Sequence, residues 1–286
     1  MFKNKANICK KTYLCPMHFC FFQPSGFLKK YMKQYCLMES GPGEQDMCER
    51  VIPTEHIQLM FHYRDPFVVH SGTMPVRQPF SIISGLCHSY SDVSTHGLTG
   101  VIFISFTPAG ACHFFEFPLS EIENQSVDLR AVYNREIHEV EEKLHRAGSS
   151  GERIALIEQF LVQRYREIPL HDELLVQSAI TLIRSNREAL TTPELAGMLS
   201  VTPKSLERKF AAYIGKTPRQ FTKIVRFNQC IRDMGSGGKG NFTQYAYRNG
   251  YYDQSHFIHE FKMYSGYTPG EFFSLFPDCA KNFANA

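Results

Sequence analysis

Between Thr202 and Arg232 the chain carries Lys204, Arg208, Lys209, Lys216, Arg219, Lys223, Arg226 and Arg232 against a single acid, Glu207. The 286-residue chain as a whole stands at only +3, so cations gathered on one unit read as a footprint for phosphate binding. A solvated helix face would produce the same run, and the elements that carry it must decide between the two. Other reactive residues lack the spacing their chemistry needs. His256, His259 and Glu260 share a helix face, but the pattern is not HExxH and no third ligand stands nearby. The segment GSGGKG from Gly235 to Gly240 follows a helix rather than a strand and lacks the GxxxxGK(S/T) spacing of a phosphate cradle, which predicts a flexible connector. His56, His62, His70, His88, His96 and His113 form no HxH pair and are expected to be surface or hydrogen-bonded structural residues. The nine cysteines are odd in number and contain no CxxC. Cys15, His18 and Cys20 are close enough in sequence to suggest metal binding or oxidant sensing, but scattered free thiols in a reduced, cytoplasmic setting fit the set better. No nucleophile stands at a recognisable spacing from a base, so no catalytic residue and no cofactor is expected, and the chain is not read as an enzyme.

The basic run lies in a repeated pattern. LAGMLSVTPKSLERKFAAYIGKTPRQF, from Leu195 to Phe221, matches YAYRNGYYDQSHFIHEFKMYSGYTPGEF, from Tyr245 to Phe272, at a spacing of about 50 residues. Ala196 and Ala246 sit where two short helices cross and must approach closely. Gly250 suits a tight turn, and Ser200 holds the matching place. Thr202-Pro203 and Asp253 open the second helices, because a short oxygen side chain satisfies an orphan amide and Pro is tolerated at the first helical position. Leu206 with Phe210, and Phe257 with Phe261, stand at i, i+4 and turn one apolar stripe inward, leaving the opposite face for a partner. Thr191 with Glu194, Thr268 with Glu271 and, more loosely, Asn241 with Gln244 fit capping boxes. Thr217-Pro218 opens a long helix, and Gly215 and Gly266 end the two outward-facing helices.

On these motifs, residues 172–276 resemble the DNA-binding domain of AraC/XylS-family transcription regulators. The resemblance implies two helix-turn-helix units joined by a connector helix from Thr217 to about Met234. At 1.5 Å per residue that helix spans roughly 27 Å, near the ~34 Å between successive major grooves on one face of B-DNA. Carried over position by position, the base-facing residues are Lys204, Glu207 and Arg208 in the first unit and Gln254, Ser255, Ile258 and His259 in the second. Arg pairs with guanine, Gln with adenine, and Glu accepts from cytosine. Lys209, Lys216, Lys223 and Lys262 are assigned to phosphates. The family pattern usually has Arg where His259 stands. The implied partners are double-stranded DNA, RNA polymerase, a small-molecule effector and a second copy of the chain.

Length and a break near Arg166-Glu167-Ile168-Pro169 divide the chain into residues 1–25, a flexible extension, residues 26–167, and residues 172–277. Leu174, Leu175, Ala179, Leu182 and Ile183 form a helical stripe expected to pack under the first unit. Ile57 to Tyr63, Phe80 to Ile83 and Val101 to Phe106 carry strand signatures. After Pro118 the period changes, and Val132 to Leu144 and Ile154 to Tyr165 predict a helix pair around Gly148–Gly151. The expected fold class is therefore α+β: a β-rich domain ending in a helix pair, followed by an all-α domain. VIPTEHIQLMFHYRDP, VIFISFTPAGACHFFEFP and EQFLVQRY resemble the cupin-like sensor domain of some members of the family, which implies a ligand-responsive sheet with the helix pair as a dimer interface. Phe61, Tyr63, Phe103, Phe106, Phe114 and Phe115 are expected to be core before they are pocket. The stretch from Leu14 to Phe22 is interrupted by Pro16 and His18, and no run reaches the ~18 apolar residues of a membrane span. Rival readings are a cupin-like enzyme with an incidental helical tail, and a protein-binding module whose helix-turn-helix units no longer touch DNA.

Overall fold

The computed structural model describes residues 17–41, 47–70, 74–186, 190–235 and 241–276. The N-terminal strands are β1 (Met17–Phe22), β2 (Met32–Ser40), β3 (Cys48–Val51), β4 (Gln58–His62), β5 (Val68–Val69), β6 (Val76–Arg77), β7 (Ser81–Ser84), β8 (Ser91–Ser94), β9 (Gly100–Phe106) and β10 (Ser126–Asp128). They pair antiparallel into a six-stranded sheet, ordered β1-β2-β9-β4-β7-β10, and a four-stranded sheet, ordered β3-β8-β5-β6. Register separates the faces of the larger sheet. Tyr35 stands opposite Ile104 and Leu37 opposite Ile102, while Leu59 and Phe61 meet the same two residues from β4. All six are buried in the main core. The alternate positions, Gln34, Cys36, Met38, Gln58, Met60, Phe103 and Ser105, line a cavity of about 330 Å³ between the two sheets. With a side-chain period of two, one strand serves both.

One correction concerns the N-terminal boundary. Met17–Phe22, placed in the flexible extension by sequence, is strand β1 and pairs along its length with β2, from Met17 opposite Ser40 to Phe22 opposite Tyr35. Ladder hydrogen bonds to a central partner outweigh the broken apolar run from which the extension was read. Residues 1–16, including Cys9 and Cys15, lie outside the described residues. The linker around Arg166 is tied down. Arg166 donates its backbone N–H to the His113 carbonyl, and its guanidinium reaches the carbonyls of Cys112 (3.2 Å) and Phe115 (2.7 Å).

The helices are α1 (Arg130–Arg146), α2 (Ser150–Val162), α3 (Leu170–Ser185), α4 (Thr192–Met198), α5 (Pro203–Tyr213), α6 (Pro218–Gly235), α7 (Phe242–Arg248), α8 (Gln254–Ser265) and α9 (Pro269–Leu275). The pair α1 and α2 turns at Ala147–Ser149, where the Ser149 side chain accepts from the Glu152 N–H. Ile137, Leu144, Ile157, Phe160 and Leu161 are buried from this pair, with Phe160 edge-on to Phe61 of β4 at 6.2 Å between ring centroids. Each such side chain contributes roughly 1.5–3 kcal/mol of burial energy. The buried cluster continues through Leu119, Val176 and Ile180 into Leu206, Phe210, Ile224, Phe227, Phe257 and Phe261, so one core runs through both halves. No helix among the described residues is long and apolar enough to cross a membrane.

Candidate functional site

The two helix-turn-helix units are built alike. Ala196 and Ala246 are fully buried at the crossings, and the carbonyl of each accepts the N–H of the residue five positions on, Val201 at 3.0 Å and Tyr251 at 2.9 Å. Between them Ser200 (φ 55°) and Gly250 (φ 70°) both take the left-handed conformation, as the repeat alignment required. Caps follow at Thr202, whose side chain accepts from the Ser205 N–H, and at Asp253, which accepts from the His256 N–H at 2.7 Å. Counted from the crossing alanine, the second cap comes one residue later. The additional residue is Tyr252, which is 85% exposed. Leu206 and Phe210 in α5, and Phe257 and Phe261 in α8, are completely buried as the i, i+4 pairs predict. Capping boxes close at Thr191/Glu194, Asn241/Gln244 and Thr268/Glu271.

Counting from the two caps, Lys204, Glu207 and Arg208 are the equivalents of Ser255, Ile258 and His259, with Gln254 at the first helical position. All of these are exposed except Ile258, which is half-buried. Gln254 accepts a hydrogen bond from Thr243 of α7 at 2.6 Å. Between the units, α6 runs for 18 residues, about 27 Å. Its Arg226 lies over the Tyr251 ring at 3.9 Å and donates to the buried Glu260 and to the Gly250 carbonyl, fastening the second unit to the connector.

The basic run is divided by its partners. Lys216, assigned to phosphate by sequence, is buried and donates to Glu123 Oε1 at 2.8 Å and Asn124 Oδ1 at 2.7 Å in the N-terminal half. Lys209 is bound to Asp172 of α3, which also accepts from the Tyr213 hydroxyl at 2.8 Å. Burial alone would raise the Asp172 carboxyl, but Lys209 and Tyr213 hold it below the usual carboxylate range. These two lysines are thus committed to acids that sequence proximity could not reveal. Lys223 lies 3.8 Å from Glu260 and remains 38% exposed, and Lys262 is exposed. Arg232 is drawn to Glu55, leaving Lys204, Arg208 and Arg219 as exposed cations of the run. His56, His62, His70, His88 and His113 each have a hydrogen-bond partner, and among the described residues no three His, Cys, Asp or Glu side chains are grouped to hold a metal ion.

A sequence family described as a helix-turn-helix domain matches residues 195–274, and a domain family of unknown function matches residues 21–128. The HTH-type transcriptional regulator ArgR of Pseudomonas aeruginosa is 30% identical over 129 residues, which are 41% of this chain and 39% of that protein. Residues 195–274 form an AraC-type helix-turn-helix domain. Among solved structures, the chain is similar to ToxT from Vibrio cholerae with a TM-score of 0.44 and 13% identity, over 81% of this chain and 99% of that one. An AraC-type DNA-binding domain-containing regulator from Chromobacterium violaceum gives a TM-score of 0.34 and 23% identity, over 36% of this chain and 92% of that one.

In this AraC-type domain both outward-facing helices end on a glycine that abuts the N-terminal half. Gly215 (φ 83°) packs so closely on the 119–122 turn that a Cβ there would lie 2.7 Å from the Leu119 carbonyl oxygen. At Gly266 (φ 76°) a Cβ would lie 2.3 Å from Arg50 Nη1 and 2.7 Å from the Tyr90 ring. The residue after each glycine completes the contact, Lys216 through Glu123 and Tyr267 through the Arg50 guanidinium at 4.6 Å. Glu55 adds a third attachment by accepting from Arg184 of α3 and Arg232 of α6. Burial opposes ionisation of Glu55, yet Arg184, His56 and Arg232 outweigh it and hold the carboxyl below its ordinary value. Neither glycine contact was legible in sequence, where both residues read as helix ends alone.

Proposed function

We propose that the chain is a cytoplasmic, sequence-specific DNA-binding transcription regulator whose N-terminal half answers to a small ligand in the cavity between its sheets. One observation carries the reading: two equivalent helix-turn-helix units are anchored on a single connector helix, and each keeps the outer face of its second helix in solvent while the inner face is locked into the core. Lys204, Glu207 and Arg208 read one major groove, and Gln254, Ser255, Ile258 and His259 the next. Arg208 is suited to a bidentate guanine contact and Gln254 to adenine. Lys262 and Lys223 hold phosphates, with Arg219 beside them. RNA polymerase and a second copy of the chain, meeting through α1 and α2, are the further partners this function calls for.

Gel-shift titration against DNA selected by the protein from a random-sequence pool, at several salt concentrations, tests the reading. Affinity should fall steeply with salt, because each neutralised phosphate releases counterions. Arg208→Ala should cost about 1–3 kcal/mol and relax specificity at one position, whereas Lys262→Ala should weaken all sequences alike and reduce the salt slope by about 1. Absence of salt-dependent binding, with the protein folded, would rule the function out.

A further inference from the structure

The cavity between the sheets has a wall with two customers. From Glu49 to His56 the chain lines the cavity with Glu49, Val51, Ile52, Pro53, Thr54 and His56. Arg50, Glu55 and the Pro53 carbonyl of the same segment hold the helical domain. Arg50 donates to Asp92 of β8 at 2.7 and 2.9 Å, is sandwiched between Tyr90 and Tyr267, and reaches the Ser265 carbonyl at the end of α8 at 3.4 Å. The Pro53 carbonyl accepts from Asn228 of α6 at 3.1 Å, and Glu55 binds Arg184 and Arg232. Asp92 lies between Ser91 and Val93, which themselves face the cavity. Alternation in β3, which turns Glu49 and Val51 inward and Arg50 outward, and the non-strand segment from Ile52 to His56 together make one short stretch both ligand wall and domain clamp.

The lining also states what the ligand is. Its floor is soft and apolar, with Met38, Met60 and Phe103, and Phe19 and Phe21 stand half-exposed around it, 45% and 61%, as an unfilled apolar rim. Methionine and phenylalanine adapt to apolar shapes at little cost. Apart from the Glu49 carboxylate at the wall, which itself repels an anion, the polar side chains are neutral amides and hydroxyls such as Gln34, Gln58 and Ser105. Among the described residues no Lys or Arg lines the cavity, since the same alternation turns Arg50 outward. His56 uses Nδ1 on the Phe106 carbonyl at 2.8 Å, and burial pushes its pKa down to about 4, so it brings no positive charge at neutral pH. An anionic ligand would be desolvated here without a counter-charge, which is strongly unfavourable.

We propose that this cavity binds an uncharged, largely apolar molecule, and that residues 49–56 carry its occupancy to the second DNA-reading unit by moving Arg50 against the end of α8. The inference rests on the regulator reading for its output, but not for its ligand. A volume of about 330 Å³ sits at the lower end of the range for small-molecule sites, which suits a medium-chain probe.

The full chain is titrated with decanamide and decanoate, followed by thermal shift and by calorimetry, and then with selected DNA. Decanamide should bind at least tenfold more tightly than decanoate and change DNA affinity at least threefold. Val51→Arg, at a position already 46% exposed at the wall, should fold normally and reverse the order of the two probes. Arg50→Ala should still bind decanamide while DNA affinity no longer responds to it. Decanoate binding as tightly as decanamide to the unaltered chain, or neither probe binding, overturns the ligand class. A decanamide response of DNA affinity that survives Arg50→Ala overturns the route. Failure to bind DNA at all would instead strike the regulator reading, and the probe titrations would still decide the ligand class.

Discussion

Lys216 and Lys262 carry the same charge, one buried and one exposed, and a substitution pair separates the structural lysine from the proposed phosphate contact. Lys216 is buried against Glu123 and Asn124. Lys216→Met should lower the melting temperature by several degrees, on the order of 2 kcal/mol, and leave the salt slope of DNA binding unchanged. Lys262→Ala should leave the melting temperature unchanged and lower the slope. His62 provides a second test. It is 3% exposed, its Nδ1 has no hydrogen-bond partner, and burial pushes its pKa down to about 4 from 6.5. Between those values the unfolded chain binds the proton and the folded chain does not, so stability falls as pH drops from about 6.5 toward 4. The loss attributable to His62 is about 3 kcal/mol, and a urea-unfolding series over that window should show it, with a shallower pH dependence in His62→Phe. Lys216 also marks the limit of reading charge along a chain. Eight cations against one acid looked like a free basic surface, but Glu123, Asp172, Glu55 and Glu260, distant in sequence, claim five of them to varying degrees.

At the level of helices and strands, local signals were reliable wherever one residue type had one physical job. Ala196 and Ala246 lie at 0% exposure in their crossings, so Ala246→Leu should cost about 1–3 kcal/mol through overpacking and abolish binding by the second unit before the first. Ser200 sits at φ 55°, where a side chain is strained, and Ser200→Gly should raise stability by a few tenths to about 1 kcal/mol in denaturant unfolding. Strands β4, β7 and β9 and all the capping boxes were likewise visible, because β-branched runs and Thr-x-x-Glu spacings act within a few residues. β1 and β2 were not. In β2 the residues alternate between a cavity face and a core face that are both covered, so Gln34 and Cys36 broke the expected pattern of one wet side, while β1 at the sheet edge leaves Phe19 and Phe21 exposed. Tyr252 was visible only as a letter, since its role as the extra residue of the second turn needs both caps located in space.

Taken as an assembly, the two halves form one core with charged or close-packed attachments that include Gly215-Lys216, Gly266-Tyr267, Glu55 and the Lys30–Glu173 pair at 2.8 Å. A single cooperative thermal transition is expected. Gly215→Ala adds a Cβ against the Leu119 carbonyl at a left-handed position, and together with Glu55→Gln it should split that transition into two, measured by calorimetry. Acid should act in the same direction. Because the Glu55 carboxyl titrates below its ordinary 4.5, its stabilising share is complete above that value and is lost as pH falls through the lowered one.

The repeat, its caps, its crossing alanines and its outward-facing residues were all readable from the order of amino acids, because each depends on contacts within one helical turn or one tight turn. The fate of the lysines, the cavity and its lining without Lys or Arg, and the use of each terminal glycine as a landing point for the other domain emerged with the assembled chain. Those features join residues from tens to more than two hundred positions apart, from Lys209 and Asp172 to Arg50 and Ser265, and no local periodicity records such a meeting.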